Sequence, residues 1–149
     1  MKGLGLDRLA LLLTVASGTA SAAPPAADAR QPVSMPAAAR AELRAEMIDF
    51  MAALNELIGY LGEGKLAEAG QVADARIGVG AMGKHRNSPP EAIPGRYMPD
   101  AMHGIARGMH VAASDFARVA RKGDREKAYG ALQQVTAACV ACHATYRLE

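Results

Sequence analysis

From Ser34 onward the apolar residues of this 149-residue chain recur at steps of three and four. That spacing places them on one face of successive helices. Leu43, Met47, Phe50, Leu54, Leu57 and Leu61 form the first stripe, with Glu42, Glu46, Asp49 and Glu56 elsewhere on the cylinder. This helix is expected to begin near Pro36, with Ser34 as its cap, and to end at Gly62 and Gly64. A second helix is expected from Lys65 to Ala81, on Leu66, Ala69, Val72 or Ala73, and Ile77. Gly78, Gly80 and Gly83 weaken its last turns. The segment from Lys84 to Met98, with Pro89, Pro90, Pro94 and Gly95, reads as a loop. A third helix starts at Pro99-Asp100 on Met102, Ile105, Met109, Ala112, Phe116 and Val119, and stops at Gly123. Gly104 and Gly108 lie on its surface. Asp124 caps a fourth, from Arg125 to Tyr146.

β-branched residues are sparse and aromatics only 4 %, with no Trp, and no segment reads as a strand. The expected fold is therefore all-α, an antiparallel up-and-down four-helix bundle over 36–149. The length suits one domain. So many small residues make a thin core, which a large apolar ligand filling the interior would strengthen.

The N-terminus reads as an address. Lys2 and Arg8 precede the apolar run Leu9 to Val15, and Ala20-Ser21-Ala22 forms a small-residue cleavage site. That is the layout of a secretory signal peptide over 1–22, and the run is far short of the ~20 residues a spanning helix needs. The Ala- and Pro-rich residues that follow, 23–35, read as a flexible lead-in. No other stretch is long and apolar enough to cross a membrane. The net charge of +2, from 17 Lys plus Arg against 15 Asp plus Glu, is no nucleic-acid footprint.

The two cysteines occur as Cys139-Val140-Ala141-Cys142-His143. C-x-x-C-H is the attachment sequence of c-type haem. Two thiols three positions apart lie on one helical face and can add to the two vinyl groups on one porphyrin edge, giving thioethers. His143 then supplies a proximal imidazole for the iron. Three other readings compete. A thioredoxin-like pair would follow a strand and open a helix. Zinc needs four ligands, and His85, His103 and His110 form no pair with a partner Cys. A disulfide between positions i and i+3 of a helix has poor bridging geometry. Covalent haem, one per chain, agrees with an export signal, because this haem type is attached after export to the periplasm.

The stretch Cys139-Val140-Ala141-Cys142-His143-Ala144-Thr145-Tyr146-Arg147 resembles the C-terminal signature of class II c-type cytochromes, the cytochrome c′ family. Phe116 to Arg125, with Gly123-Asp124 between helices, resembles the family's turn between third and fourth helices. The likeness spans about Pro36 to Arg147, and its specific part is the last helix. It implies haem at one end of the bundle, held by the first and fourth helices. It also implies that a first-helix residue faces the iron opposite the histidine. A Leu there leaves five-coordinate iron suited to small gases, and a Met gives six-coordinate iron suited to electron transfer.

This sequence offers Met47 and Met51 on the first helix. His143 lies about 9 Å along the axis from the C-terminus, and Met47 about 16 Å from the helix start, an offset that a haem with two ligands spans. Met47 is on the stripe, while Met51 is one turn further and off it. Met47 is the candidate distal ligand, with core filler as the competing role. Arg44 is a candidate haem-propionate partner or a solvated surface cation. Tyr146 and Arg147 are candidate haem contacts or close the helix. Met102, Met109 and Phe116 read as bundle core, and His103 and His110 as core-edge or solvent-facing residues.

The expected function is a periplasmic electron-carrying module, not an enzyme, that works with redox partner proteins. The alternatives are a gas-binding haem protein of the same fold, for nitric oxide or carbon monoxide, and a haem-free helical interaction protein. The family resemblance also raises a homodimer.

Overall fold

The computed structural model describes residues 27–149, so the signal peptide expected over 1–22 lies outside the described residues. Four α-helices follow one another: α1 Ala37–Gly62, α2 Leu66–Arg76, α3 Asp100–Ala120 and α4 Arg125–Thr145. Single turns of 3-10 helix, at Val79–Ala81, Pro90–Ala92 and Pro94–Arg96, punctuate the α2–α3 connection. Among the described residues no helix is long and apolar enough to cross a membrane.

Local chemistry sets the helix ends. Gly64 closes α1 with φ +78°, which lets the Lys65 N–H return to the Tyr60 carbonyl at 2.8 Å. Gly123, at φ +76°, turns the chain out of α3. The Asp124 carboxylate then accepts from the Lys127 N–H at 3.0 Å and starts α4.

Three expectations are corrected. Ser34 does not cap α1: Pro36 holds the cap position, with no side-chain hydrogen bond. The second helix stops at Arg76, five residues early. There the Ile77 and Gly78 N–H groups both return to the Ala73 carbonyl, and the chain leaves the helix. The turn is pinned by α3. The Ser114 hydroxyl donates to Asp74 at 2.7 Å and accepts from the Val79 N–H at 3.0 Å, and His110 Nδ1 lies 2.5 Å from the Ile77 carbonyl.

The third correction is a small sheet. Gln31–Val33 (β1) pairs in parallel with Tyr146–Leu148 (β2), in the register Gln31↔Tyr146, Pro32↔Arg147, Val33↔Leu148. Part of the segment read as a lead-in is thus strand, and the end of the expected fourth helix is the other strand. Burial is the reason. Val33, Met35 and Tyr146 close on Ala39, Leu43 and Met102, an apolar cluster that no single helix could complete.

The packing is sequential, α1 on α2, α2 on α3, and α3 most extensively on α4. The backbones of α1 and α4 hardly approach one another. Small residues set the spacing elsewhere. A Cβ on Gly70 would lie 3.1 Å from the Ala117 carbonyl oxygen and 3.2 Å from Ala120 Cβ, tighter than ordinary contact, so the glycine eases the close approach of α2 to α3. The core falls into two clusters. The larger joins all four helices through Phe50, Leu57, Phe116 and Val135, among others. The smaller is the cluster under the sheet. Met47 packs against both.

Candidate functional site

The fourth helix carries Cys139, Cys142 and His143 in its last two turns. The helix ends just beyond them, where the Tyr146 N–H bonds the Cys142 carbonyl and the chain turns into β2. Both thiols are free and half-buried. Cys139 packs on the larger cluster, with its sulfur 4.0 Å from Met109 Sδ and 3.5 Å from the Val135 carbonyl. Cys142 packs on the smaller cluster. The pair therefore bridges the two halves of the core from α4, as Met47 does from α1. The His143 side chain is exposed. Its carbonyl accepts from Arg30 Nη1 at 3.3 Å.

The surroundings weigh against the competing chemistries. Burial pushes both thiols up, and for Cys142 the neighbouring Cys139 adds to the effect. A redox-active or nucleophilic pair needs the opposite shift. Among the described residues no cluster of three or more His, Cys, Asp or Glu side chains could hold a metal ion.

The helix flanks show where a flat ligand would enter. Asp49 and Glu56 of α1 face α2, where Arg76 Nη1 meets Glu56 at 2.9 Å. At 100° per residue, Met47, Met51 and Ile58 occupy the opposite flank. On α4, Ala131 and Gln134 border a hollow against Gly108 and Val111 of α3. His143, Tyr129 and Val140 occupy the flank turned away from it. Met51 (73 % exposed), Val140 (68 %), Ile58 and Tyr129 are all exposed large apolar residues. They border the one side of the helix ring where neighbouring helices hardly touch. Two open surface hollows lie elsewhere, and neither is lined by the thiols or His143.

Residues 98–147 match the family model described as Cytochrome C', a stretch that covers α3, α4 and the C-x-x-C-H motif. Over these residues the chain is similar to cytochrome c′. No curated protein and no solved structure matches the chain.

The cytochrome c′ match implies haem c, and the residues present fit it. Two unpaired, neutral thiols lie three positions apart beside an imidazole. The flank between α1 and α4 offers apolar surface that is exposed among the described residues. Met47 is the only one of the two first-helix candidates that is partly buried, since Met51 stands in solvent. Arg44 is exposed on the same side of α1 as Met51. Met102, Met109 and Phe116 are buried core, as their spacing predicts. His103 is exposed. His110 is buried, set edge-on to Phe50 with ring centroids 5.8 Å apart.

Tyr146 is buried in the smaller cluster and also closes α4 as its C-cap residue. The Arg147 Nε is buried without a hydrogen bond and lies 3.8 Å from Asp28. Two further contacts have no local signal in the sequence. His85, in the α2–α3 connection, rests against α1 with Nδ1 3.5 Å from Glu42 and Nε2 3.9 Å from Glu46. From the segment read as a lead-in, Arg30 reaches His143 at the end of α4 and Asp28 reaches Arg147 of β2. Val33 and Met35 are the apolar signal for that docking, but two residues cannot be told from a linker.

Proposed function

We propose that this chain is a monohaem c-type cytochrome that carries single electrons, built as an antiparallel up-and-down four-helix bundle. Cys139 and Cys142 would hold the haem covalently, and His143 would bind the iron on the proximal side. Met47 would bind on the other. The bound haem supplies a reversible one-electron couple, and the protein around it sets the potential and the exposure of its edge. Thioether ligation by Met47 raises that potential relative to two histidines. Met51, Ile58, Tyr129 and Val140 would exclude water along the haem faces, and Arg44 would meet a propionate.

The observation that carries this reading is the C-x-x-C-H motif within the matched residues, with each thiol seated on one of the two clusters that Met47 joins. The short α1–α2 and α3–α4 turns support the antiparallel order. The leader read over 1–22 supports a periplasmic location, where redox proteins are the partners and no enzymatic substrate is required.

Absorption and spin-state spectra of the ferric protein test the electron-carrier role against the gas-binding one. Electron transfer predicts low-spin iron with a thioether–iron charge-transfer band, lost in Met47→Ala. High-spin, five-coordinate wild-type protein, or an unchanged Met47→Ala spectrum, rejects Met47 ligation.

A further inference from the structure

The geometry points to Asp28 and Arg30 as positioning residues for His143, an inference that rests on the haem reading above. The two residues precede β1: Arg30 lies 113 positions from His143, at the end of α4, and Asp28 is paired with Arg147 of β2. Arg30 Nη1 donates to the His143 carbonyl at 3.3 Å. The Asp28 carboxylate holds the same guanidinium in place, with Arg30 Nη2 at 2.7 Å and Nε at 3.0 Å from its two oxygens. Asp28 also faces the buried, unpartnered Nε of Arg147 at 3.8 Å.

The sheet then carries the tie on. Gln31 to Val33 lie alongside Tyr146 to Leu148, the Glu149 N–H bonds the Val33 carbonyl at 3.2 Å, and Arg40 of α1 reaches the Glu149 carbonyl. Every residue from Tyr146 to Glu149 is thus held by the segment before α1 or by its first turn.

The position of His143 makes this more than a fastening of the chain end. Its carbonyl lies in the last turn of α4, where helix carbonyls lack partners within the helix and the backbone frays. An iron ligand in a fraying turn has a slack bond to the metal. The Arg30 bond satisfies that carbonyl, and Asp28 fixes the fork that makes it. The imidazole is thereby presented from a rigid backbone, in the way that outer hydrogen bonds tune a ligand.

Arg30→Ala and Asp28→Ala, each in the haem-loaded full chain, test this with the reduction potential and with hydrogen exchange at the amides of 146–149. The two variants remove charges of opposite sign, so a through-space field would move the potential in opposite directions. Loss of a shared tie moves both the same way, upward, because a slacker imidazole stabilises the ferric form less. The expected rise is about threefold in the oxidation equilibrium, or about 28 mV for a one-electron couple. Exchange at 146–149 should quicken by about tenfold in both.

Shifts of opposite sign overturn the inference. So does quickened exchange with an unmoved potential, which would leave the pair a role in the chain end alone, and so does an unmoved pair of readouts. These outcomes all require a coloured protein. A wild-type chain without haem instead overturns the proposed function, and the positioning role with it.

Discussion

Val33→Ala asks whether the residues before α1 belong to the fold or merely precede it. Val33 is 3 % exposed and sits in the smaller cluster with Met35, Leu43 and Tyr146. Truncation removes two buried carbons, worth about 1.6 kcal/mol in transfer free energy. The neighbours come from β1, α1, α3 and β2 and cannot all follow the receding side chain. The cavity raises the loss to about 2–2.5 kcal/mol. That corresponds to a fall in Tm of about 6–10 °C for a domain of this size. Urea unfolding gives the free energy directly, with an unchanged slope showing that the unfolded state is unaltered. Gln31→Ala, on the exposed side of the same strand, is the control and should stay within about 0.5 kcal/mol of wild type. A Val33→Ala protein as stable as that control would mean the segment does not dock on Tyr146, and the account of the sheet would fail.

Other consequences are equally open to measurement. Gly78→Ala should cost about 2–4 kcal/mol in urea unfolding, because the new Cβ would lie 2.6–2.7 Å from Asp74 and the Ser114 hydroxyl and break their hydrogen bonds. A neutral result would contradict the tight α2–α3 junction. The Arg30 guanidinium and backbone N–H hold the Asp28 carboxyl at about 2, below its ordinary 3.8. Its folded-state pKa is depressed, so its stabilising effect is full above pH 3.8 and is lost as pH falls towards 2. Asp28→Asn should therefore flatten the stability profile between pH 4 and 2, and an unchanged acid limb would show the carboxylate to be unpaired. In haem-free precursor, burial of both thiols predicts alkylation at neutral pH slower than that of a free cysteine. Faster reaction would return the pair to the redox-active reading.

Local signals in the sequence carried far in this chain, and long-range ones did not. Asp124 and the stripe from Met102 to Val119 define the start of α3 and both ends of α4 to within a residue, because caps and helical spacing act within a few positions, while α3 ends at Ala120, short of the expected stop at Gly123. The C-x-x-C-H motif is local in the same way. The early end of α2 is not: Gly78 hints at it, but the residues that pin the turn, Ser114 and His110, come from α3. The sheet is harder still. Gln31–Val33 is three residues long, contains a proline, and pairs with a partner more than a hundred positions away. No window of sequence spans that contact, so Asp28 and Arg30 read as linker. Met51 shows the reverse. Its place off the stripe predicts exposure, and the structure leaves it in solvent.

Everything proposed for this chain depends on covalent bonds between haem and its two cysteines, which the intact mass of the exported protein reads. The expected result is the mass of the polypeptide plus one haem, no alkylatable thiol, and a coloured solution whose spectrum in alkaline pyridine is that of a haem joined through two thioethers. A colourless product with the mass of bare polypeptide, taking up alkylating reagent at both Cys139 and Cys142, would contradict it.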